Sequence, residues 1–109
     1  MDNIITKDFR ISNADERWNT LSVGIYYSLG GMNYFTYKNE PRGYYFSITP
    51  EVVSGCMRSY TAFTGFKTCF KEVKRKTKKQ NKFAERQFEE LCKKYVPMFC
   101  ERYGIELDE

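Results

Sequence analysis

The sequence predicts an α+β domain: a three- or four-stranded antiparallel meander packed by two C-terminal helices, the last kinked at a proline. Three observations support this. Apolar residues alternate with polar ones over Leu21 to Ser28 and again over Tyr44 to Thr49, the two-residue period of half-buried strands. Beyond Thr61 the period changes to three and four residues, the signature of a helix stripe. Between these regions lie glycine, proline and asparagine, the residues that turns require.

At 109 residues the chain matches one folding unit, and residues 1–109 are read as a single domain. Hydrophobic residues make up 41% and aromatics 17%, enough large side chains for a small core to cohere. Residues 1–17 mix charge with isolated apolar positions at Ile4, Ile5, Phe9 and Ile11, which suits a short strand or a loosely ordered N-terminal arm. In the first strand Val23, Ile25 and Tyr27 share one face. Gly30-Gly31 then predicts a tight hairpin to a second strand over Asn33 to Tyr37. Lys38 to Gly43 is a turn, and Tyr44, Phe46 and Ile48 form the buried face of a third strand that Pro50 ends. Cys56 to Tyr60 is the candidate fourth strand, at an edge.

Phe63, Phe66, Phe70 and Val73 predict a first helix over Thr64 to Lys76, capped by Thr61 or Thr64. Thr77 and Gln80 have capping-box spacing at the start of a second helix, although one long bent helix over residues 64–103 fits the pattern as well. Ala84, Phe88, Leu91, Cys92, Tyr95, Val96, Phe99, Cys100 and Tyr103 keep one continuous apolar face. Pro97 removes an amide near its end and predicts a kink, and Gly104 suits the helix stop.

Composition weighs against catalysis. The chain has no histidine, the commonest general base, and its paired acids, Glu89-Glu90 and Asp15-Glu16, read as solvated charge. A non-enzymatic protein without cofactor is the expectation. Cys56, Cys69, Cys92 and Cys100 lack C-x-x-C spacing and are expected to be reduced core thiols. The first residues lack the basic-then-apolar build of a signal peptide and no apolar run is long enough to span a bilayer, so a cytoplasmic location without membrane contact is expected.

The charge is uneven. Lys67, Lys71, Lys74, Arg75, Lys76, Lys78, Lys79 and Lys82 are opposed within their interval by Glu72 alone, while the formal net charge of the whole chain is +4. On a helix, Lys67, Lys71, Lys74 and Lys78 would form one stripe spread over roughly 16 Å at about 1.5 Å rise per residue, a geometry that can follow phosphates. A solvated lysine face is the plainer reading. Arg42 to Ile48 partly resembles the RNA-recognition-motif signature, whose exposed strand aromatics stack bases. It departs from that signature at Tyr45 and Ser47, and no helix fits between the first two strands. Arg42 and, on the opposite strand face, Tyr45 are the contact candidates from this segment.

The run Gly24 to Thr36, then Pro41 to Tyr45, then Thr61 to Gly65, resembles small, functionally unassigned proteins of bacterial mobile elements and phages. The resemblance implies no activity by itself. Small proteins of that origin often block host defence, including CRISPR inhibitors that act by binding, and an anti-defence role is the expectation drawn from that company rather than from chemistry. The resulting expectation is a module that binds nucleic acid or a nucleoprotein assembly through its basic helix surface. The alternative is a protein-interaction module or homodimer that uses an exposed aromatic sheet face or the C-terminal helix.

Overall fold

The computed structural model describes residues 2–34, 36–60 and 64–108, and it is α+β, as the residue pattern predicts. Strands β1 (Asp2–Arg10), β2 (Thr20–Ser28), β5 (Gly43–Ser54) and β6 (Met57–Tyr60) lie side by side in that order, all antiparallel. A further strand, β7 (Phe66–Glu72), pairs with the first half of β5 on the edge whose second half β6 occupies. Two short strands, β3 (Gly31–Asn33) and β4 (Lys38–Glu40), form a separate ribbon. Helices α1 (Lys78–Arg86) and α2 (Phe88–Tyr103) follow.

Direct antiparallel partners share a sheet face, so the register sorts the side chains. Leu21, Val23, Ile25 and Tyr27 of β2 stand opposite Pro50, Ile48, Phe46 and Tyr44 of β5, and all eight are buried. Ala84, Phe88, Val96 and Phe99 of the helices close on that face, with the Phe46 ring centroid 5.7 Å from that of Tyr95. The apolar helix stripe is thus the second layer of the core. Pro97 lies inside α2, and Gly104 ends the helix in the left-handed conformation, at φ 66°. Thr77 caps α1 by accepting a hydrogen bond from the Gln80 amide at 3.1 Å, as the capping-box spacing predicts. The two helices meet at Gln87 and are not one long helix.

Four expectations are corrected. The stretch expected as a helix over Thr64 to Lys76 contains strand β7; its Thr61 cap and Phe63 fall outside the described residues. β7 carries a bulge: Cys69 faces Tyr45 and Lys71 faces Tyr44, leaving Phe70 as the extra residue. The second strand, expected over Asn33 to Tyr37, is instead the tip of the β3–β4 ribbon, Phe35 itself lying outside the described residues. β2 pairs directly with β5, whose apolar face matches its own along the whole register.

Of the two readings of the N-terminal segment, residues 2–17 follow the strand and not the loose arm. β1 pairs along β2 from Asp2 to Arg10, and the segment after it is stitched to the C-terminus. Ser12 N–H donates to the Glu106 carbonyl at 2.7 Å, Asp108 N–H to the Arg10 carbonyl at 2.9 Å, and the Asn13 side chain satisfies both Gly104 and Glu106.

Pro50 does not end its strand. Asn19 bonds the Glu51 carbonyl through its amide and both backbone groups of Val53 through its side chain, so Glu51 and Val53 face the β2 edge. Backbone groups alternate in direction along a strand, which turns Pro50 toward the opposite edge. There β7 pairing stops at Ile48 and β6 pairing begins at Glu51, so no ladder donor is required of the proline.

Candidate nucleic-acid interface

At one end of the sheet the β2–β5 connection, residues 29–42, stands beside the segment that joins β7 to α1. Arg42 ties the two together: its Nε donates to the Leu29 carbonyl at 3.2 Å, its carbonyl accepts from Val73 N–H at 3.1 Å, and its Nη1 reaches the Lys74 carbonyl at 3.5 Å. Between them runs an open groove of about 690 Å³ lined by Tyr27, Ser28, Leu29, Gly30, Lys74, Arg75 and Lys76. Gly30 adopts φ +74° with the Glu40 carbonyl oxygen only 2.5 Å from where a Cβ would stand, so this corner accepts no side chain.

The basic residues do not form the helical stripe that their spacing suggests. Lys67 pairs with Ser47 on the helix-free face, where its ammonium binds Glu40 Oε1 at 2.8 Å; this bond holds the Glu40 carboxyl below the usual carboxylate range. The bulge at Phe70 puts Lys71 on the other face, with its Nζ 5.5 Å from the centre of the Phe83 ring. Lys74, Arg75 and Lys76 lie in the connecting segment, and Lys78, Lys79 and Lys82 on α1. The structure therefore gathers Arg42 with the 74–82 basic run and removes Lys67 from it. Among the described residues Lys74, Arg75, Lys78, Lys79 and Lys82 form no ion pair. The first turn of α1 contains no acid, so its two lysines face the positive end of the helix dipole uncompensated.

Tyr45 is not the exposed stacking residue that its strand position suggests. Its ring is 3% exposed and stacks on Tyr26 at 5.5 Å and 11°, while its hydroxyl donates to the Pro41 carbonyl at 2.6 Å. The base of the ribbon covers it. Burial pushes both phenols up to about 12. The helix-free face is thus not an exposed aromatic sheet: beyond the covered tyrosines, Arg58 reaches across it to Glu51 at 2.8 Å and Asp8 at 2.9 Å.

Tyr60, opposite Glu51, is exposed at the β6 edge of that face, and the most exposed aromatics lie elsewhere. Tyr34 is 78% and Tyr37 81% exposed at the ribbon tip, with Leu29 and Met32 exposed below them. Sequence reasoning missed these two because alternation around them mimics a buried strand. The available signal was the turn chemistry on both sides, Gly30-Gly31 before and Pro41-Arg42-Gly43 after, which isolates the segment from the sheet.

The thiols are only partly as expected. Cys69, Cys92 and Cys100 are half-buried, and burial pushes Cys92 up to about 11 and raises the other two, which makes them poor thiolates. Cys56 is exposed in the turn before β6 and is no core residue. Among the described residues no cluster of acids and thiols could hold a metal ion, and no helix is long and apolar enough to cross a membrane. No protein-family model matches this chain, and neither does any curated protein or solved structure.

Proposed function

We propose that this protein is a non-enzymatic binding module that engages nucleic acid, or an assembly containing it, through the basic surface of residues 74–82 and its groove. The observation that carries this reading is a set of five cations, Lys74, Arg75, Lys78, Lys79 and Lys82, that form no ion pair among the described residues. A merely solvated helix face ordinarily intersperses acids that offset its lysines. Here the first turn of α1 adds lysine to the positive end of the dipole, a repulsion that a polyanion relieves. The resemblance to mobile-element proteins supports a role in countering host defence, in which such a module would occupy a nucleoprotein complex.

The test is a salt titration of binding to labelled oligonucleotides. Replacing Lys74, Arg75, Lys78 and Lys79 together with Gln should weaken binding to all sequences alike. It should also flatten the plot of log affinity against log salt, by about 2.8 on single strands or about 3.6 on duplex DNA. Lys67→Gln is the control and should leave the slope unchanged, since Glu40 already holds that ammonium. A wild-type protein without salt-dependent affinity for any oligonucleotide would sink the proposal. A second reading, pairing with another protein chain, is favoured by β6, an edge strand exposed along its whole length with Met57 and Tyr60 uncovered. Capture of a partner that survives nuclease treatment would move this reading ahead.

A further inference from the structure

We infer that the nucleic acid is taken as a single strand, with bases stacked on Tyr34 and Tyr37 at the tip of the β3–β4 ribbon while the backbone follows the groove and the 74–79 segment. This rests on the binding reading above and specifies its ligand.

The argument begins with the backbone of Tyr37. At φ +57° it is the one non-glycine residue in the left-handed region among the described residues, in a conformation that glycine or asparagine adopts more cheaply. The tip enforces it: Tyr37 N–H donates to the Asn33 carbonyl at 2.8 Å, and Thr36 N–H donates to the Asn33 side chain at 3.3 Å. A large aromatic residue in a strained position is ordinarily explained by what its ring packs against. This ring is 81% exposed and that of Tyr34 78%, so the core explains neither. Residues held in sparsely populated backbone regions cluster at functional sites.

The ribbon is also tied to the sheet, and through Arg42 to the start of the basic segment. Asn33 Nδ2 donates to Glu40 Oε2 at 3.0 Å, Glu40 Oε1 accepts from Lys67, and Tyr45 and Arg42 grip the ribbon's base. Three paired residues per strand, at about 3.3 Å each, carry the tip roughly 10 Å beyond the groove. That distance is about three nucleotides at the 3.4 Å spacing of one strand of duplex. A strand with its phosphates along Lys74 to Lys79 would need about three further nucleotides past the groove to bring bases to the height of the two rings. A duplex keeps its base faces inside the stack and offers such rings nothing, whereas unpaired bases stack on aromatics with little regard to sequence.

The experiment measures anisotropy of labelled 16-nucleotide single-stranded DNA, the same sequence as RNA, and the matching duplex, at low salt. The proteins are wild type, Tyr34→Ser, Tyr37→Asn and the fourfold Gln variant, each with its urea midpoint. Each tyrosine substitution should weaken single-strand binding roughly five- to hundredfold and change duplex binding less than about twofold. Tyr37→Asn should hold or raise the midpoint because asparagine relieves the strain, an outcome that a merely structural tyrosine would not give. Equal losses on single strands and duplex would overturn the stacking role. If the tyrosine variants bind like wild type while the fourfold variant loses affinity, the single-strand inference falls and the binding reading stands. If wild type binds none of the three oligonucleotides, both fall.

Discussion

The pairing of β7 with β5 departs furthest from the sequence pattern, and Gly43→Ala tests it directly. Gly43 is buried in β5 between Ser28 on one side and Glu72 on the other. An added Cβ would stand 2.2 Å from the Lys71 carbonyl oxygen and 2.8 Å from the Glu72 Cα, against an ordinary contact of 3.4–4 Å. Both obstacles are backbone, so the C-terminal half of β7 must retreat by more than an ångström. That retreat disrupts the bonds around the Gly43–Glu72 and Tyr44–Lys71 pairs and the one from Val73 N–H to the Arg42 carbonyl. Two or three lost hydrogen bonds cost about 2–4 kcal/mol. The stiffer unfolded chain offsets about 0.4–1 kcal/mol of this. A net loss of roughly 1.5–3 kcal/mol lowers Tm by about 6–12 °C in a domain of this size. Urea denaturation with an unchanged m-value and a thermal melt measure it. Gly55→Ala is the comparison: φ is +62° with open space around it, so only left-handed strain of about 1 kcal/mol applies. Were residues 64–76 helical, Gly43→Ala would be neutral or slightly stabilising. A midpoint at or above wild type would therefore refute the β5–β7 pairing.

Asn19→Ala should cost about 1–3 kcal/mol, because it leaves both backbone groups of Val53 without their side-chain partner; a urea midpoint within error of wild type would show that water replaces it freely. Alkaline pH should destabilise the fold through Tyr26 and Tyr45, whose phenols burial pushes up to about 12. Unfolded tyrosines lose their protons near pH 10, so between about pH 10 and 12 the native state holds more protons. Stability from these groups is full below that window and is lost as pH rises through it. Urea midpoints from pH 9 to 12 should fall, and fall less in Tyr45→Phe; identical profiles would exclude Tyr45 as a cause.

The local signals that survived folding share one property: each is decided within a few residues. Alternation over Val23, Ile25 and Tyr27 and over Tyr44, Phe46 and Ile48 set two strand faces, and the 3.6-residue stripe of Ala84 to Tyr103 set the helical layer. Thr77 and Gly104 placed a helix start and a helix stop, because caps need only their own backbone. The α+β class was legible from these alone. The basic run was legible as composition, but its shape was not.

What only the tertiary structure decided is which segments meet. Phe66 and Phe70 are four residues apart, a spacing that keeps side chains together both on a helix and, being even, on a strand, and the bulge at Phe70 absorbed the parity break to Val73. The vacant upper edge of β5 settled the ambiguity by offering a ladder to backbone groups that needed partners. That choice split Lys67 from Lys71 and buried Tyr45 under the ribbon. It left Tyr34 and Tyr37 exposed at the tip of the ribbon, past the corner where Arg42 meets Lys74. Likewise the segment after β1 found its partners at the other end of the chain, with Ser12 bonded to Glu106, 94 residues away. Periodicity reports which face of an element is apolar; the partner of that face is a long-range choice, made by matching apolar surface and open hydrogen-bonding edges across the whole chain.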